Sequence, residues 1–142
     1  MAYVHTVQYY ETDKMGVTHH SNYIRWMEEA RVEFLARIGC DYAELERMGI
    51  ISPVIGVTCD YKHTTTFPEK VTIDVSVKEF RGVKLFIGYE MKNSDGTIVC
   101  TGTTSHAFLD KNHRPIKMKS VLPELYDTLS QMSEDEPEES EI

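Results

Sequence analysis

From Ser21 onward the apolar residues return at helical spacing. Tyr23, Met27, Ala30, Phe34 and Ile38 step by four, three, four and four, so they share one face, while Arg25, Glu28, Glu29, Glu33 and Arg37 lie mostly off it. This predicts a long amphipathic helix, with Gly39 as its stop. Asp41 stands as an N-cap with Glu44 three residues on, so a short helix is expected over Tyr42 to Arg47. From Ile50 the period changes to two. Val54 to Tyr61 reads as a strand, with Thr64 to Phe67 as a bent extension. Val71, Ile73, Val75 and Val77 alternate with Thr72, Asp74, Ser76 and Lys78, the cleanest half-buried strand in the chain. After a tight turn at Gly82, Val83, Leu85, Ile87, Tyr89 and Met91 alternate again. Asn93-Ser94-Asp95-Gly96 is a turn, and Ile98 to Leu109 forms the last strand. A first strand over residues 3–9 and a C-terminal helix over Ser120 to Met132 complete the series.

One long helix against an antiparallel sheet is an α+β layered domain. Hairpin-length links make the four strands after the helices antiparallel neighbours. The sheet's second face and edges need covering, which predicts a homo-oligomer.

Composition changes this picture little. At 142 residues, 41% hydrophobic and 27% charged, the chain suits one globular domain. We expect that domain over residues 1–132, followed by a disordered acidic tail over 133–142. The net charge of −8 is misleading: six acidic residues stand in the last ten, and removing them from the 23 in the chain leaves 17 against 15 basic ones. A near-neutral body argues against bulk nucleic-acid binding. No apolar run reaches membrane-span length and no signal pattern opens the chain, so no membrane partner and a cytoplasmic location are expected. Cys40, Cys59 and Cys100 are scattered and read as reduced and mostly packed.

Candidate chemistry gathers just before the long helix. Asp13 precedes Gly16, and a helix start follows within a few residues. An aspartate before such a loop is first of all a turn former. Here Gly16 permits a tight backbone path, and the first helical turn offers unpaired N–H groups with a partial positive charge. Asp13 can therefore act as general base or nucleophile towards a carbonyl whose developing oxyanion those amides hold. Such chemistry needs no metal, cofactor or triad. His19 and His20 lack the i, i+4 spacing of paired metal ligands. His20 can orient water, bond a substrate or cap the backbone. Tyr9, Tyr10 and Trp26 can line an acyl pocket or serve as ordinary core and interface residues. Arg81 and Lys84 flank a hairpin and, with Lys62 and His63, are candidates for anchoring phosphates; a solvated basic turn explains them equally well. His106 reads as a structural strand histidine, and His5, His63 and His113 carry no signal of their own.

The stretch YYETDKMGVTHHSNYIRWMEEAR resembles the 4-hydroxybenzoyl-CoA thioesterase branch of the hot-dog acyl-CoA thioesterases, and most nearly the Tol-Pal-associated group. The family pattern is a tyrosine, a threonine-aspartate pair, a glycine three residues on and an asparagine-tyrosine at the helix start. Here these are Tyr9 or Tyr10, Thr12-Asp13, Gly16 and Asn22-Tyr23. GTTSHAFLDKNHRPIKM resembles the family's last strand and its exit. Lys14-Met15 departs from the small residues common there, which bears on substrate shape.

The resemblance implies a hot-dog fold, in which a curved five-stranded antiparallel sheet wraps one long central helix. It also implies dimers with a continuous sheet, often paired into tetramers, with active sites at the dimer interface. The reaction implied is hydrolysis of an acyl-CoA thioester. Asp13 would be the catalytic carboxylate and the His20 backbone N–H the carbonyl's polarising donor. Tyr10, Gly16, Val17, Tyr23, Arg81 and Lys84 are the expected substrate-binding residues. A non-hydrolytic, dehydratase-type enzyme and an acyl-thioester binding module are the alternatives.

Overall fold

The computed structural model describes residues 2–133. Apart from Ser133, the expected acidic tail lies outside them. The element order is β1 (Ala2–Thr6), a 3-10 turn (Tyr9–Glu11), α1 (Ser21–Arg37), α2 (Tyr42–Arg47), β2 (Val54–Tyr61), β3 (Lys70–Phe80), β4 (Lys84–Lys92), β5 (Ile98–Ala107), α3 (Met118–Val121) and α4 (Pro123–Met132). The strands form one antiparallel sheet in the order β1-β3-β4-β5-β2. This is the expected α+β hot-dog arrangement.

The core follows from the two periods. Val71, Ile73, Val75 and Val77 on β3 and Leu85, Ile87, Tyr89 and Met91 on β4 are all buried. Onto them α1 lays Tyr23, Met27, Ala30 and Phe34, with Trp26 and Leu35 widening the stripe. Each full burial of a large apolar side chain contributes roughly 1.5–3 kcal/mol, which outweighs helix propensity in fixing α1. A Cβ at Gly102 would lie 2.5 Å from the Thr58 carbonyl oxygen, so the packing of β5 against β2 requires glycine there, and the Met27 methyl of α1 fills the space above it.

Four local expectations change. The first strand ends at Thr6 rather than residue 9, because Gln8 and Glu11 cap the 3-10 turn reciprocally. The strands after the helices are not all sequential neighbours. The edge of β3 is taken by β1, and β2 pairs with β5 at the far side of the sheet. Residues 62–69 are accordingly a crossing segment, not a strand extension. Within it Thr65 O accepts the Thr18 N–H at 2.8 Å and Thr66 Oγ1 donates to Gly16 O at 2.7 Å. Finally, the C-terminal helix breaks at Leu122, since Pro123 has no N–H to continue the ladder.

Strand β2 is an edge with every residue exposed or half-buried, and Val54, Ile55, Val57 and Tyr61 show apolar side chains. No helix among the described residues is long and apolar enough to cross a membrane.

Candidate active site

The loop before α1 is a miniature hairpin closed by a bridge between Thr12 and Thr18. Asp13 N donates to Val17 O and Gly16 N to Asp13 O, each at 2.9 Å. Gly16 sits at φ +80°, the left-handed conformation that lets the chain turn back within so few residues. The turn uses only one oxygen of the half-buried Asp13 carboxylate: Oδ1 accepts the Met15 N–H at 2.8 Å. Among the described residues no donor meets Oδ2.

Below the hairpin a buried carboxylate fixes the loop to the helix. Glu11 Oε1 accepts from Gln8 N at 2.8 Å and from His5 Nε2 at 2.9 Å, and Oε2 accepts the Trp26 indole N–H at 2.8 Å. Burial alone would push the Glu11 pKa up, but the donors from Gln8, His5 and Trp26 together hold it below the ordinary glutamate value. Buried Asn22 donates to Glu11 O at 3.0 Å and to His19 O at 3.3 Å. The Tyr23 hydroxyl meets Thr65 Oγ1 at 3.0 Å, and Thr65 meets Thr18 Oγ1 at 2.6 Å. Loop, helix and crossing segment are thus a single hydrogen-bonded unit.

His20 is the N-cap residue of α1 but its side chain makes no capping hydrogen bond; instead His19 Nδ1 accepts the Ser21 N–H at 3.3 Å and lies 2.8 Å from Ser21 Oγ. That leaves the His20 ring exposed, stacked on His19 with 4.3 Å between centroids. The His20 N–H has no acceptor among the described residues.

A cavity of about 380 Å3 opens here. The loop contributes Asp13, Met15, Val17 and Thr18, α1 with its cap contributes His20 and Tyr23, and the end of β2 contributes Tyr61, Lys62, His63 and Thr64. Four of the expected residues, Asp13, Val17, His20 and Tyr23, therefore share one wall system. Gly16 shapes the turn without lining the cavity. Tyr10 is 82% exposed and does not line it. Arg81 and Lys84 do not line it either: Arg81 pairs with Glu79 and lies 5.8 Å over the Phe86 ring, on the β3–β4 turn. Of the candidate phosphate anchors, Lys62 and His63 line the cavity, as does Tyr61, which the strand pattern marks only as a β2 residue. All three reach the cavity because β2 runs along the far edge of the sheet, a placement with no local signature.

The match to a known family agrees with this geometry. Residues 7–129 match the thioesterase-like superfamily. The chain belongs to that superfamily. Among its thioesterase relatives, the putative acyl-CoA thioesterase YneP of Bacillus subtilis is 32% identical over 119 residues, covering 83% of this chain and 86% of the relative. The acyl-CoA thioester hydrolase YbgC of Escherichia coli is 25% identical over 113 residues, covering 80% and 81%. The crystal structure of a DHNA-CoA thioesterase from Staphylococcus aureus superposes with a TM-score of 0.87 at 33% identity, covering 92% of this chain and 88% of that one. In this thioesterase-like chain, Asp13, whose Oδ2 meets no donor, and His20, whose N–H meets no acceptor among the described residues, both line that cavity.

Proposed function

We propose that this chain hydrolyses acyl-CoA thioesters, releasing a carboxylic acid and free coenzyme A. One observation carries the reading: Asp13, bonded through Oδ1 alone, and His20, whose N–H meets no acceptor among the described residues, line one cavity at the start of α1. A thioester carbonyl placed there has its oxygen at the His20 amide and its carbon open to attack. Asp13 Oδ2 either takes a proton from water as the water oxygen adds to that carbon, or adds to it directly and is later released by water. In both routes the C–S bond breaks and the thiolate leaves, then takes up a proton. Its conjugate acid has a pKa near 8.5, so it departs without strong acid assistance. Loss of one oxyanion donor typically costs about 2.7–4 kcal/mol of transition-state stabilisation.

We further propose that the enzyme works in the cytoplasm as a homo-oligomer, a dimer or a dimer of dimers. The unpaired apolar edge of β2 supports association, since such an edge is a template for pairing with another strand. The unbridged thiols of Cys59 and Cys100, with Sγ atoms 3.4 Å apart, fit a reducing compartment.

The test is thiol release from a panel of acyl-CoA thioesters, with wild type beside Asp13→Asn. The variant is expected to lower kcat by about 10²–10⁴-fold while remaining folded and keeping its oligomeric state. Retention of most of the wild-type rate would refute the role of Asp13.

A further inference from the structure

A second cavity, of about 240 Å3, lies farther down α1. His20, Ile24, Glu28 and Arg31 step by four, four and three, so it continues the stripe that begins at the candidate oxyanion donor. Eleven residues of helix place Arg31 about 16 Å beyond His20. On the opposite wall Val57 and Val54 follow Tyr61 back along β2. Helix and edge strand thus flank both cavities.

The inner end of this slot is unusual in its charge. The Arg31 side chain is only 7% exposed, yet no carboxylate is in close contact with it: the nearest paired oxygen is Glu28 Oε1 at 3.9 Å, on a side chain 70% exposed. The guanidinium donates to the Tyr42 hydroxyl and lies 5.7 Å from that ring. Behind it the Tyr89 hydroxyl meets Thr104 Oγ1 and Thr104 meets His106 Nε2, each at 2.7 Å, a chain of groups without negative charge. Arg25 also lines the slot, so two guanidiniums oppose one carboxylate there. A buried cation that lacks a contacting anion has lost its hydration without a matching charge to replace it. A ligand with an apolar body and an anionic end would offset that loss, and the walls supplied by Ile24, Val54 and Val57 suit the body.

We propose that this slot receives the far end of the acyl group and that Arg31 selects an acyl chain ending in a carboxylate. The substrate class is therefore a carboxyacyl thioester whose chain spans about three helical turns. This rests on the thioesterase reading above and adds a specificity-determining residue to it.

Tetradecanedioyl-CoA and tetradecanoyl-CoA carry acyl chains of equal length, long enough to cover about three helical turns, and differ only in the terminal carboxylate. With the wild-type protein, kcat/KM for the first is expected to exceed that for the second by about tenfold or more, the scale of one charge-assisted hydrogen bond. Arg31→Gln should bring the ratio close to one, and Arg31→Lys should leave it between the two. A wild-type ratio at or below one overturns the proposal without any variant, so a misfolded Arg31→Gln does not shield it. A ratio that stays high in a folded Arg31→Gln overturns the assignment to Arg31. Binding of both thioesters is measured in parallel. If no acyl-CoA of any length is hydrolysed, the hydrolytic reading fails, and the slot is then decided by binding: tenfold tighter tetradecanedioyl-CoA supports it, equal affinity overturns it.

Discussion

Trp26 Nε1 donates to Glu11 Oε2 at 2.8 Å, and this bond joins the second turn of the long helix to the loop that carries Asp13. Both partners are buried, at 0% and 5% exposure. The carboxylate's other oxygen holds His5, whose ring lies tilted against the same indole at 4.6 Å between centroids. The candidate catalytic aspartate therefore owes its position to an acid two residues earlier that never meets the cavity.

Trp26→Phe leaves Glu11 Oε2 buried and unpaired, and should destabilise the protein by about 1–3 kcal/mol. Glu11→Gln should cost a similar amount and also change the pH dependence. Because Glu11 has a lowered pKa in the folded state, its contribution is present above the unfolded value of about 4.3 and is lost as pH falls through the folded value. Denaturant titrations from neutral to acidic pH should show the wild type losing stability over that range more steeply than Glu11→Gln.

At the helix mouth the backbone, not the imidazole, is the expected donor. His20→Ala keeps the N–H and should keep measurable thioester hydrolysis, well above the residual rate of Asp13→Asn. Steady-state kinetics of the two variants side by side decide it. A loss as deep as at Asp13 would transfer the role to the ring.

His106 is 1% exposed, and its Nδ1 has no partner among the described residues. Burial, with the nearby Arg31 charge, pulls its pKa down to about 3. The folded protein thus holds it neutral while the unfolded chain protonates it near 6.5, so stability should decline as pH falls from about 6.5 towards 3. His106→Leu should flatten that part of the profile, as read by thermal melts across the range. Since Thr104 retains the Tyr89 hydroxyl as a partner at 2.7 Å, the variant is expected to fold.

On the edge strand, Ile55 is 50% exposed and belongs to neither cavity. Ile55→Lys should shift the oligomer towards monomer, observed as a lower mass by light scattering, because a charged side chain on an exposed edge opposes strand pairing. If the active sites are completed across that edge, thiol release should fall with the oligomer and recover at high protein concentration.

Much of this was legible in the residues because it depends on local periodicity. The step of three and four fixed α1 as a helix, the alternation over 71–77 fixed the inner face of β3, and the Asp41–Glu44 spacing gave α2 over Tyr42–Arg47. The Asp13–Gly16 turn was legible too, since its hydrogen bonds close within five residues. Tertiary structure alone decided the rest. Whether β2 lies beside β3 or beside β5 depends on which strand takes the β3 edge, and β1 does so from a distant part of the chain. That choice carried Tyr61, Lys62 and His63 to Asp13 and left Arg81 and Lys84 on another turn. It also formed the gap between α1 and β2 in which Arg31 lies buried. A charged residue on a helix reads as solvent-facing until the packing around it is known, because the spacing of residues sets their direction around the axis but not what stands opposite.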